Sequence, residues 1–152
     1  MMYFMNFALD QAKLAQQKNE VPVGAVVVQN NKIIASAHNL KESYKDCTAH
    51  AELLAIKAAQ EVIGDWRLNN CMLYSTLEPC PMCMGAILHA RIDKVIYAAK
   101  DYKWGACGSQ TILSQPDRFN HYTETVFLND PQCSIIIKQF FNTIRNKRNA
   151  LT

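Results

Sequence analysis

Two short segments carry residue types that could do chemistry: His50-Ala51-Glu52 and Pro79-Cys80-Pro81-Met82-Cys83. Zinc takes nitrogen and sulfur donors in a tetrahedron, and a catalytic site fills three corners from protein while leaving one for water. His50, Cys80 and Cys83 are candidates for those three corners. Glu52 follows His50 closely enough to reach that water without binding the metal. Zinc would lower the pKa of the water and Glu52 would move protons, an arrangement suited to hydrolysis.

Neither segment decides the matter alone. A His-x-Glu triplet arises by chance in many helices, and a Cys-x-x-Cys pair can be a redox couple or half of a structural zinc site. A closed structural site would need a fourth ligand, for which Cys47, Cys71, Cys107, His38 and His89 are available. None of these forms a second pair at finger-like spacing, and a closed site accounts for neither Glu52 nor Pro79. The catalytic pattern is therefore preferred over the closed site. His-x-Glu followed by Pro-Cys-x-x-Cys is also the signature of zinc nucleobase deaminases.

The remaining composition sets bounds. A chain of 152 residues is expected to form a single domain, residues 1–152, and is long enough to bury a real core. Sixteen basic side chains stand against thirteen acidic ones, too mild a surplus to announce a nucleic-acid binder. That surplus lies in the second half, where Lys138, Arg145, Lys147 and Arg148 form a basic end with no acid between them. A solvated helix face accounts for such an end as readily as RNA binding does. Six cysteines in a chain of this length do not make a disulfide scaffold once two are claimed for metal. The apolar start, Met1 to Leu9, lacks a basic leader and soon meets Asp10 and Lys13, so an amphipathic helix is expected there and not a signal peptide. No apolar run reaches membrane-spanning length, so no membrane partner is expected and a cytoplasmic location follows.

The elements that must position the site can be read from periodicity. Phe4, Phe7, Ala8, Leu14 and Ala15 recur at helical spacing and predict a helix near 3–18. Gly24 to Val28 and Ile33 to Ala37 are predicted strands, joined by a tight hairpin at Asn30-Asn31. Thr48 is expected to cap a helix from Ala49 to about Ile63, with Gly64 ending it. Cys71 to Leu77 reads as a strand, Glu78-Pro79 as a turn, and Pro81 as the first turn of a helix reaching Ala90. Zinc would then lie between two helix starts, whose positive ends favour thiolate over thiol. Lys94 to Ala98 and Thr123 to Leu128 are further strands, and Pro131 to about Arg148 a final helix. The stretch Ala99 to Phe119 is expected to be loop, with one short helix near Thr111. The alternation predicts a three-layer α/β/α domain around a mixed sheet of about five strands.

With these segments in view, the chain resembles the bacterial tRNA-specific adenosine deaminases (TadA type), of the cytidine and deoxycytidylate deaminase superfamily. The likeness rests on Glu20-Val21-Pro22-Val23-Gly24-Ala25-Val26, Thr48-Ala49-His50-Ala51-Glu52 and Thr76-Leu77-Glu78-Pro79-Cys80. It extends to Asp101-Tyr102-Lys103-Trp104-Gly105-Ala106-Cys107-Gly108-Ser109, and to Phe140-Phe141 with Arg145 on the last helix. The resemblance implies a cytidine-deaminase-like fold, one Zn2+ per subunit and a homodimer. It further implies conversion of adenosine to inosine at the wobble position of an arginine tRNA with an ACG anticodon. The partner would be the anticodon stem-loop, with no DNA expected. By the same analogy Asn39 would hydrogen-bond the flipped nucleoside, and backbone around Ala51 and Glu78 would hold it. Val23 and Leu77 would line the base pocket. Asp101 would contact the sugar of a neighbouring nucleotide, where a 2′-OH marks RNA, and Phe140, Phe141 and Arg145 would grip the anticodon loop.

Other residues stay open. Trp104 stands where the family usually has a small or polar residue; it can stack on a loop base or pack against a partner subunit. His89 reads as a packing or surface histidine, and His38 and His121 have no partner pattern. Cys47, Cys71, Cys107 and Cys133 read as small hydrophobes, Met82 and Met84 as core or interface. The alternative activity is a deaminase of free guanine, cytosine or a nucleoside, which needs the same metal site and no RNA surface. A zinc-stabilised binding module is the non-enzymatic alternative, against which Glu52 stands.

Overall fold

A computed structural model describes residues 1–152. Its centre is a five-stranded sheet with strand order β2-β1-β3-β4-β5. The strands are β1 (Gly24–Gln29), β2 (Lys32–His38), β3 (Cys71–Ser75), β4 (Lys94–Tyr97) and β5 (Glu124–Phe127). β1 pairs antiparallel with both β2 and β3, whereas β3, β4 and β5 run parallel, so the sheet is mixed as expected. The β1–β2 hairpin turns at Asn30 and Asn31, both at positive φ (51° and 58°), a backbone that asparagine tolerates.

Helices cover both faces. Side chains alternate along each strand, so Val27, Leu73 and Val95 join the core beneath α3 (Ala51–Ile63) and α4 (Pro81–His89). Val26, Tyr74 and Ile96 point the other way, beneath α1 (Met2–Gln17) and α5 (Pro131–Ala150). α1 buries Met5, Ala8, Leu9, Ala12 and Ala15, while Phe7 and Leu14 from the expected stripe are exposed. Its small residues let it lie against the hairpin. A Cβ on Gly24 would sit 2.0 Å from the Ala8 carbonyl oxygen, so the close approach demands glycine there.

Three local expectations are corrected. Thr48 does not cap α3, because its hydroxyl donates to Asp46 Oδ1 at 2.7 Å; the helix starts at Ala51 with His50 in the capping position. β3 ends at Ser75 and not Leu77: Gly24 N–H bonds the Thr76 hydroxyl and not its carbonyl, at 3.1 Å, and Glu78 N–H goes to the Ala99 carbonyl. No helix forms near Thr111; Cys107 and Ile112 form an isolated bridge, with Gly108 at φ 135°. A one-turn helix, α2 (Lys41–Tyr44), was not legible, being too short for any period to show. No helix is long and apolar enough to cross a membrane.

Candidate active site

His50 and Cys80 occupy the N-cap positions of α3 and α4, both with extended backbone, and Cys83 lies in the first turn of α4 behind Pro81. α3 follows β2 and α2, α4 follows β3, and the two helices pack against each other. His50 Nδ1 lies 3.5 Å from Cys83 Sγ and 3.8 Å from Cys80 Sγ. All three ligand atoms fall within 4.8 Å of one another. Tetrahedral zinc with ordinary bond lengths separates nitrogen from sulfur by about 3.6 Å, so donor types and spacing both fit. None of the spare cysteines or histidines joins the cluster, which matches an open site and not a closed one.

The electrostatics suit a cation. A hydrogen bond from Cys83 holds the Cys80 thiol down at about 4, against its burial, while Cys83 is pushed up by that same bond and by burial. The pair shares one proton, which a metal would displace. Hydrogen bonding to Cys80 raises His50. Burial raises the carboxyl of Glu52, which is 4% exposed. Ser75 Oγ donates to Glu52 Oε1 at 3.3 Å and to the Leu77 carbonyl at 2.8 Å.

Val23 and Ala51 are buried in the core beneath α3 and α4, and Leu77 packs partly buried against it. Asn39 is buried beside Val23, whose carbonyl accepts its N–H at 3.0 Å, while its side-chain amide makes no hydrogen bond within the chain. Asn39 is followed by α2, which Glu20 anchors: this fully buried carboxylate accepts from Glu42 N–H at 2.7 Å, Ser43 N–H at 3.0 Å and the Ser43 hydroxyl at 3.1 Å. Asp101 Oδ1 accepts the N–H groups of Lys103 and Trp104 at 3.0 and 3.1 Å. Glu78, 1% exposed, accepts from Asp101, Cys107 and Ser109. Phe140, Phe141 and Arg145 stand apart on α5: the rings pack edge-on at 5.4 Å, Phe141 is exposed, and Arg145 donates to Asn142 Oδ1. Trp104 is 66% exposed. Ser75 and the side-chain roles of Glu20 and Glu78 were missed in the sequence, where Glu20 and Glu78 showed only as members of their segments.

Residues 1–99 match the model of the cytidine and deoxycytidylate deaminase zinc-binding region. The chain belongs to that family. Within it, this deaminase is 45% identical over 148 residues to a tRNA-specific adenosine deaminase of Bacillus subtilis, covering 97% of this chain and 92% of that one. A structure solved in a study of A-to-I editing by tRNA:A34 deaminases at the wobble position of transfer RNA superposes with TM-score 0.84. It is 40% identical and covers 90% of this chain and 99% of that one. Guanine deaminase from Bacillus subtilis is 42% identical with TM-score 0.62, over 65% of this chain and 64% of its own. The deaminase is therefore a hydrolytic enzyme whose metal is zinc, with His50, Cys80 and Cys83 as the donor set that fits it.

Proposed function

We propose that this enzyme converts adenosine to inosine at the wobble position of an arginine tRNA with an ACG anticodon. The observation that carries the reading is a buried Glu52 carboxyl beside a three-donor metal cluster, in a chain matching tRNA-specific adenosine deaminases along nearly its whole length. Bound zinc supplies a water of lowered pKa, so that a nucleophile exists at neutral pH. Glu52 takes the proton of the attacking water and delivers it to N1 of the purine as C6 becomes tetrahedral. It then moves the proton of the new C6 hydroxyl to the amine, the C6–N bond breaks, and ammonia leaves with the C6 carbonyl of inosine behind. Its buried, raised carboxyl suits it to hold that proton between steps.

The buried Asn39, whose side-chain amide makes no hydrogen bond within the chain, hydrogen-bonds the nucleoside, with the first-turn N–H of Ala51 and the backbone at Glu78 holding it. Val23 and Leu77 clasp the base. Asp101 keeps Oδ2 free for a neighbouring ribose. Phe140, Phe141 and Arg145 grip the anticodon stem-loop, and the basic end of α5 meets its phosphates. The working unit is a cytoplasmic homodimer of single-domain chains, one zinc in each. Parallel assays of zinc-loaded protein on ACG-anticodon tRNA and on free guanine, adenosine and cytosine test the substrate class. Inosine in the RNA supports it; an untouched tRNA beside a deaminated free base would transfer the enzyme to the guanine deaminase likeness.

A further inference from the structure

Glu78 is a buried carboxylate that makes no ion pair. An acid taken out of water needs its lone pairs filled, and here a single loop fills them. Asp101 N–H reaches Oε2 at 3.0 Å, and the N–H groups of Cys107 and Ser109 reach Oε1 at 3.0 and 3.1 Å. The Ser109 hydroxyl donates to Oε2 as well. A Cβ on Gly105 would lie 2.3 Å from the Glu78 carboxyl carbon, so the loop wraps the carboxylate as closely as glycine allows. Two backbone bonds seal the seam: Glu78 N–H to Ala99 O, and Ala106 N–H to Pro79 O, both at 2.8 Å.

The consequence falls on Asp101. Its N–H is held by Glu78 and its Oδ1 by Lys103 and Trp104, which leaves Oδ2 as the one carboxylate oxygen with no partner. Glu78 also precedes Pro79-Cys80 directly, so the same residue that fixes Asp101 is tied to a metal ligand. We propose that the Glu78 carboxylate is a positioning residue: it sets the distance between the metal cluster and Asp101, and so presents Asp101 Oδ2 to the nucleotide next to the target adenosine. This rests on the RNA reading above.

Glu78→Gln tests it, because an amide keeps one acceptor and turns a donor toward N–H groups that have nowhere else to go. With tRNA as substrate, KM is expected to rise about tenfold, the value of one charged hydrogen bond, while kcat changes less and zinc per chain is unchanged. Combined with Asp101→Ala, the KM effect should not multiply, since both changes remove the same contact. Independent, multiplying effects, or an unchanged KM in Glu78→Gln, would overturn the proposal. Gly105→Ala drives a methyl into the same carboxylate and should give the same signature. Should Glu78→Gln not fold, Ser109→Ala removes a single donor and should raise KM in the same direction; no change there counts against the proposal. Wild-type protein inactive on tRNA would overturn the RNA reading itself, and that result is visible before any variant is made.

Discussion

Ser75 Oγ donates to Oε1 of Glu52 at 3.3 Å and to the Leu77 carbonyl at 2.8 Å. The hydroxyl proton is shared between these two acceptors, and the bond to Glu52 opposes the upward push of burial on its carboxyl. One buried side chain on β3 therefore orients the acid at the start of α3 and fixes the strand end that leads to the metal ligands.

Ser75→Ala should retain zinc and lower kcat on tRNA by about tenfold, the worth of a buried hydrogen bond of this kind. A kcat equal to wild type at equal zinc content would show that Glu52 needs no such partner.

Cys83→Ala should reduce zinc per chain, because Cys83 is buried in the first turn of α4 and no cysteine beyond its fellow donor Cys80 joins the cluster to replace it. Elemental analysis of dialysed protein reads this directly; undiminished zinc would remove Cys83 from the donor set.

Glu20→Ala should destabilise the fold by about 1–3 kcal/mol, since it strands the N–H groups of Glu42 and Ser43 that the carboxylate accepts. Chemical denaturation measures it. A loss near zero would mean that water replaces the carboxylate and that α2 does not depend on Glu20.

The cluster of His50, Cys80 and Cys83 was legible because the spacing of metal donors is fixed by chemistry and falls within two short segments. Helix ends marked by residues with few conformational options were legible as well: Gly64 closes α3 at φ 76°, and Pro81 opens α4. Thr48 misled because Asp46, two residues back, outcompetes the helix for its hydroxyl. Glu20, Ser75 and Glu78 escaped for a different reason. Their partners lie more than twenty residues away or on another strand or loop, and sequence period reports faces, not pairings. The region around Thr111 was misjudged because its turns are organised by Glu78 and Gly105, not by local propensity.

Alkaline stability should depend on Cys133. Burial, with the Asp130 charge beside it, pushes this thiol from 9.0 up to about 12. The unfolded chain sheds the proton near 9 while the folded chain keeps it, so stability present below 9 is lost as pH rises toward 12. The slope is at most about 1.4 kcal/mol per pH unit. Cys133→Ala should flatten the fall of Tm between those pH values relative to wild type; parallel curves would place the titration elsewhere.

The central claim is that Glu52, beside a zinc held by His50, Cys80 and Cys83, deaminates the wobble adenosine. The most direct measurement incubates zinc-loaded wild type and zinc-loaded Glu52→Gln with unmodified ACG-anticodon arginine tRNA and sequences the product for inosine. The account predicts inosine confined to the wobble position with wild type, and a rate lower by about 10²–10⁴ for the variant at equal zinc content. Inosine formed equally by both proteins, or none formed by wild type, would contradict it.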